Sequence, residues 1–104
     1  MKRTLRISEE ADAELSGAVR WYEGQRSGLG AEFLAAVDAA LGRIGASPHV
    51  GSPVPRVNDD AVRRLFVRRF PFHIVYIELA DRIQVLAIAH DRRRPRYWVG
   101  RRPS

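Results

Sequence analysis

The sequence predicts an α+β domain of order β-α-α-β-β-β, an antiparallel sheet with an α-helical hairpin packed on one face. Three observations predict it. Two stretches carry apolar residues at helical spacing, separated by a break short enough to make them an antiparallel pair. Three β-like runs follow in quick succession after a proline-rich loop. A short alternating segment precedes the helices.

That segment is Thr4–Ile7, in which Leu5 and Ile7 alternate with Thr4 and Arg6. Ser8 reads as a helix N-cap, and Glu9, Glu10 and Asp12 favour the positive end of the helix it opens. Ala11, Leu15, Ala18, Val19 and Tyr22 then form one apolar stripe, to about Gln25. Ser27-Gly28-Leu29-Gly30 breaks the helix. Phe33, Leu34, Val37, Leu41 and Ile44 mark the apolar face of the second helix, which Gly45, Ser47 and Pro48 end. Residues 48–60 hold three prolines and a glycine and read as an irregular surface loop. Val62–Phe70, Phe72–Leu79 and Arg82–His90 are the β-like runs, the last two joined by a tight Ala80-Asp81 turn. Pro71 cannot donate to a ladder and marks a bend. The last two runs are apolar on both faces, so the sheet needs cover on both. The helices supply one cover; the tail, a subunit or a partner must supply the other.

A chain of 104 residues fits one domain, here 1–104, with an arginine-rich tail at 92–104. Its hydrophobic fraction of 45% is that of a globular protein. No cysteine is present, which excludes disulfides and Cys-ligated zinc. Met1, Lys2 and Arg3 lead into polar residues rather than a signal peptide, and no run reaches the length of a membrane span. The cytoplasm is the expected location, without membrane association.

Charge divides the chain. Residues 1–60 carry 7 basic and 9 acidic side chains (net −2), residues 61–104 carry 11 and 3 (net +8). A one-sided basic field attracts polyanions and acidic protein segments. Seventeen of the eighteen basic residues are arginine, Lys2 being the exception. Arginine's flat fork pairs two-pronged with phosphate or carboxylate, although an alanine- and arginine-rich composition also reflects codon usage.

Three motifs stand out in order: Ala18 to Glu23 (AVRWYE) with Gly28-Leu29-Gly30 and Phe33; Arg69-Phe70-Pro71-Phe72-His73-Ile74-Val75-Tyr76; and His90-Asp91-Arg92-Arg93-Arg94-Pro95-Arg96-Tyr97-Trp98 with Arg101 beyond. In these the chain resembles the RelE/ParE superfamily of bacterial toxins from type II toxin–antitoxin pairs, and within it the ParE-like branch. The first is similar to that branch's helix hairpin, the second to its R-F-P-[YF]-x-I-x-Y strand, and the third to its closing H-x-x-R-x-P-x-x-W-x-x-R. The resemblance implies a growth-inhibiting toxin in a heteromeric complex with a cognate, ParD-like antitoxin, whose acidic C-terminal segment wraps helices and sheet. It implies DNA gyrase as the target, bound and poisoned, with no catalytic residues and no cofactor.

Two other functions stay open. RelE-like relatives cleave mRNA in the ribosome, which requires a group to activate the 2′-hydroxyl, cations around the phosphorane and an acid for the leaving oxygen. His90, Arg69, Arg93 and Tyr97 are the candidates here. Against them, a single histidine serves poorly as both acid and base, and His90 beside Asp91 also suits a turn cap. A non-toxic nucleic-acid-binding module is the third reading. Residues expected to bind antitoxin or target are Trp21, Arg64, Phe66, Arg68, Arg92, Arg93, Arg96, Trp98 and Arg101. Phe66 between Arg64 and Arg68 suits an acidic amphipathic segment, Trp21 is either peripheral core or an exposed anchor, and Trp98 packs the tail back or stacks on a base. His49 and His73 have no partner at helical ligand spacing, so no metal is expected. The Glu9, Glu10, Asp12, Glu14 cluster reads as the solvated first turns of a helix.

Overall fold

A computed structural model describes residues 4–57, 59 and 61–103. Met1, Lys2 and Arg3, Asn58 and Asp60 of the proline loop, and Ser104 of the tail lie outside the described residues. Strand β1 (Thr4–Ile7) leads into helix α1 (Glu9–Gln25) and helix α2 (Leu29–Ala46). A single 3₁₀ turn (Pro48–Val50), strand β2 (Ser52–Pro53), and strands β3 (Val62–Phe66), β4 (Phe72–Glu78) and β5 (Arg82–His90) follow, and a second 3₁₀ turn (Val99–Arg101) closes the tail. The five strands form one sheet in the order β1-β5-β4-β3-β2.

The predicted α+β class holds, and the sheet is mixed. β2 to β5 pair antiparallel, whereas β1 runs parallel to β5. The Ser8 N–H extends that parallel pairing to the Val85 carbonyl at 3.1 Å. The same residue caps α1, its Oγ accepting from the Ala11 N–H at 3.1 Å. One serine thus ends the strand and starts the helix.

The helix break is built by close approach. Gly28 opens α2 at φ 90, a conformation costly for a side chain. A Cβ on Gly30 would lie 2.7 Å from the Val19 carbonyl oxygen, so glycine there lets α2 touch α1. The Glu23 carboxylate accepts from the N–H groups of Gly28 and Gly30, both at 3.0 Å, and caps the new helix from outside it. On α2 the buried positions are Gly30, Phe33, Val37, Ala40 and Ile44. Leu34, expected on that face, is 38% exposed. The buried stripe runs through Ala40 instead.

Two further boundaries differ from the sequence reading. The run predicted as Val62–Phe70 stops at Phe66, because Val67 N–H bonds back to the Phe72 carbonyl (2.9 Å) and Arg69 takes a left-handed φ of 73. The loop at 48–60 is more ordered than expected. Its two-residue strand pairs with Arg63 and Arg64, and Pro53 is tolerated because β2 is the sheet edge. The Tyr76 hydroxyl fixes this loop from the core, donating to the Pro48 carbonyl (2.7 Å) and accepting from the Gly51 N–H (2.9 Å).

The sheet is covered on both sides. Ala11, Leu15, Tyr22, Phe33, Val37 and Ile44 of the helices pack on Ile74, Tyr76, Ile83, Val85 and Ile88. On the opposite face Val62, Val75, Ile77, Leu86, Ala87 and Ala89 cluster with Trp98, with Val54, Val57 and Tyr97 packed against them. The chain's own tail and loop therefore supply the second cover. A bulge adjusts the faces: Val75 pairs with Ala87 and Tyr76 with Val85, so Leu86 is the extra residue and joins Ala87 on the tail side.

Candidate functional site

Strand alternation puts Val62, Arg64 and Phe66 of β3 on the tail side of the sheet, beside His73, Val75 and Ile77 of β4. Phe66 stands directly opposite His73, with ring centroids 5.5 Å apart. The Arg64 guanidinium lies over the Phe66 ring at 5.2 Å. Phe66 keeps 52% of its surface in solvent. His73 Nδ1 meets Asp91 Oδ1 at 2.8 Å, the histidine side chain largely covered and the carboxylate more open. After Asp91 the tail turns back over this face and forms, with the proline loop, a groove of about 290 Å³. Among the described residues, Arg56, Arg64, Arg93, Arg94 and Arg96 line it against a single carboxylate, Asp91. Arg56 and Arg96 both hold left-handed backbone (φ 64 and 61), and the Arg96 side chain donates to the Arg56 carbonyl at 3.3 Å. This strained pair closes the groove's rim.

One carboxylate anchors the tail. Glu14 projects from α1 with 14% of its side chain exposed. Its Oε1 accepts from Arg101 Nη1 (2.9 Å) and the Ile88 N–H (3.1 Å), and its Oε2 accepts from the Tyr97 hydroxyl (2.6 Å) with Arg93 Nη1 at 3.5 Å. Arg101 also donates to the carbonyl of the bulged Leu86 (3.2 Å). Burial, and then the Glu14 carboxylate that accepts its hydrogen bond, push the Tyr97 phenol far above its ordinary range. The solvated acidic turn read from sequence is corrected at this position. Glu14 faces the tail, not water, because β5 and the tail supply three donors and a further cation, Arg93, that local periodicity cannot reveal.

Three of the four catalytic candidates, His90, Arg93 and Tyr97, line the groove, and Arg69 does not. Arg69 pairs with Glu32 of α2 at 3.1 Å and takes no part in the groove. His90 pairs in register with Phe72, its ring 5.1 Å away, and its Nδ1 accepts from the Arg92 N–H at 3.0 Å. Arg93 lies 4.1 Å over the Tyr97 ring, and both serve Glu14. Among the expected binding residues, Arg64, Arg93 and Arg96 line the groove with Phe66 beside it, and Arg68 and Arg92 are exposed outside its lining. Trp98 is 4% exposed and Arg101 is tied to Glu14, so both hold the tail. Trp21 is 60% exposed on the opposite side, at the mouth of an apolar pocket of about 370 Å³ lined by Ala18, Tyr22, Pro71, Phe72 and His90. His73, Asp91, Arg56 and Arg94 were absent from the sequence-derived site. The signal for His73 was available: period-two counting from Val75 and Ile77 places it on the tail face. Among the described residues no group of three or more His, Asp or Glu is placed to hold a metal ion, and no helix is long and apolar enough to cross a membrane.

Comparison with known proteins places this geometry. The family model described as "ParE toxin of type II toxin-antitoxin system, parDE" matches residues 5–95. No curated protein matches the chain. A solved structure described as the chromosomal ParDE TA system from P. aeruginosa is similar in fold, with a TM-score of 0.73. The two share 19% identity over 86% of this chain and 96% of that one.

Proposed function

The chain belongs to the ParE toxin family of type II toxin–antitoxin systems, and from that premise we propose that it inhibits growth by binding and poisoning DNA gyrase until a cognate antitoxin covers it. Family membership implies the antitoxin and a heteromeric complex; the identity of the target is the proposal. The observation that supports it is the arginine groove, which concentrates positive charge around one carboxylate on a face otherwise sealed by the tail. Such a surface attracts an enzyme that holds DNA, and equally an acidic peptide. Two exposed aromatics, Trp21 and Phe66, lie on opposite faces and give a wrapping antitoxin segment an apolar anchor on each. A segment that folds onto them loses ordering entropy, which apolar anchors and charge pairs must offset.

The arrangement supports binding over mRNA cleavage. The Tyr97 hydroxyl is engaged as a donor to Glu14, and Arg69, paired with Glu32, stands away from the groove. Purified protein added to gyrase and supercoiled plasmid is expected to trap cleaved complexes, and a peptide from the antitoxin C-terminus is expected to reverse this. Unchanged gyrase at any excess would overturn the target. New 5′ ends at codon positions in translated messages would transfer the reading to mRNA cleavage, and unchanged bacterial growth on induction would remove toxicity altogether.

A further inference from the structure

The groove has more structure than a charge patch. Arg64 buries its stem so deeply that its Nε is enclosed and finds no hydrogen-bond partner among the described residues. It has no carboxylate partner among them either, and its contact is the Phe66 ring. Keeping a guanidinium half-buried and without an anion is costly unless the anion arrives with a ligand. Arg94 and Arg56 line the same groove, and neither pairs with a carboxylate among the described residues. Phe66, at its edge, combines high exposure with two fixed neighbours, Arg64 and His73. A cationic pocket beside a held, open aromatic ring is the pairing that takes one nucleotide of an unpaired strand: phosphate among the arginines, base on the ring. An acidic peptide can rest an apolar side chain on Phe66, but a nucleotide brings a phosphate for the arginines and a planar ring for Phe66 in one unit. A duplex keeps its bases stacked within itself and cannot use Phe66.

We propose that the groove between tail and sheet is a binding site for single-stranded nucleic acid, with Arg64 and its neighbours holding a backbone phosphate and Phe66 stacking a base. The site goes beyond the gyrase reading and does not need gyrase to be present. His73, held by Asp91, sets the tilt of the Phe66 ring and acts as a positioning residue.

The test is anisotropy of labelled oligothymidylate and oligouridylate, about ten nucleotides long, with the full chain at moderate salt. A protein of this charge binds any polyanion somewhat, so charge-matched variants decide. Arg64→Gln is expected to weaken single-strand binding about 10-fold and to reduce the salt slope by about one. Arg43→Gln, which removes the same charge from the far side of α2, is expected to stay within about twofold. Phe66→Ala changes no charge; it is expected to cost about 5- to 10-fold and to erase the preference for single strand over duplex. Oligodeoxyuridylate, which differs from oligouridylate only in lacking the 2′-hydroxyl, names the sugar when the two are compared. Equal losses for Arg64→Gln and Arg43→Gln, indifference to Phe66→Ala, or duplex bound as well as single strand would each overturn the proposal. Thermal melts confirm that the variants are folded. Strand binding without effect on gyrase would sink the gyrase reading alone, and gyrase poisoning without strand binding would sink this one.

Discussion

At the residue scale, Glu14 shows how one side chain joins distant parts of the chain. Its three donors and the neighbouring Arg93 cation come from β5 and from the tail, more than seventy residues away, and the carboxylate is nearly enclosed. Removing one partner of such a buried cluster leaves Arg101 without its anion and Tyr97 without its acceptor. Glu14→Ala is therefore expected to cost about 3 kcal/mol in urea unfolding, and a loss below a few tenths would show the cluster to be incidental. Glu32 behaves differently because it is exposed. The hydrogen bond from Arg69, with help from Arg26, holds its carboxyl below the ordinary 4.5. With a folded value below the unfolded one, the unfolded chain takes up the proton first as pH falls. The contribution is present above 4.5 and is lost as pH drops through the folded value. Glu32→Gln is expected to show a smaller fall in urea midpoint from neutral pH to about pH 3 than the parent, most clearly at low salt. Equal falls would show that the Arg69–Glu32 pair carries no stability.

At the element scale, the helix hairpin depends on Gly30 more than on its turn residue. Gly28 needs its left-handed backbone but has open space around it, whereas a methyl at Gly30 meets the Val19 carbonyl of the facing helix. Backbone cannot yield as a flexible side chain can. Gly30→Ala is expected to cost about 2 kcal/mol or more, above the effect of Gly28→Ala, which is limited to about 1–2 kcal/mol of backbone strain. The reverse order in chemical denaturation would show that the turn governs the hairpin. The sheet has its own device at this scale. The Leu86 bulge frees a carbonyl for Arg101 and turns one more apolar side chain toward the tail. Without it the tail would have less to cover and one fewer place to attach.

At the scale of the whole molecule, the sheet lies between a helix hairpin and a tail, and the tail's hold rests on Trp98. It is 4% exposed, in a cluster that includes Val75, Leu86 and Ala87. Trp98→Ala is expected to cost about 3–5 kcal/mol and to raise binding of a hydrophobic dye, since it uncovers a whole face of the sheet. If stability holds while the dye signal stays flat, the tail is not a structural layer. The same layer builds the groove, so this variant is also expected to lose single-strand binding.

Local pattern was enough for much of this. Ser8 as cap, the stripe from Ala11 to Tyr22, the glycine break and the bounds of β5 follow from neighbours within a turn or a pleat, which the sequence displays directly. The ParE-like motifs located the family for the same reason, being short and in order. What local pattern misses is pairing between distant segments. The parallel partner of β1, the short β2 at the sheet edge and Glu14 beneath the tail all depend on contacts between separate segments of the chain. The left-handed Arg69 that ends β3 early is instead a local turn that a continuous β-like run conceals. The arginine-rich second half was evident from composition. Only the tertiary structure separated its arginines into those bound to Glu14 and Glu32 and those left facing a groove beside Phe66, because charge is a property of the residue and its pairing a property of the fold.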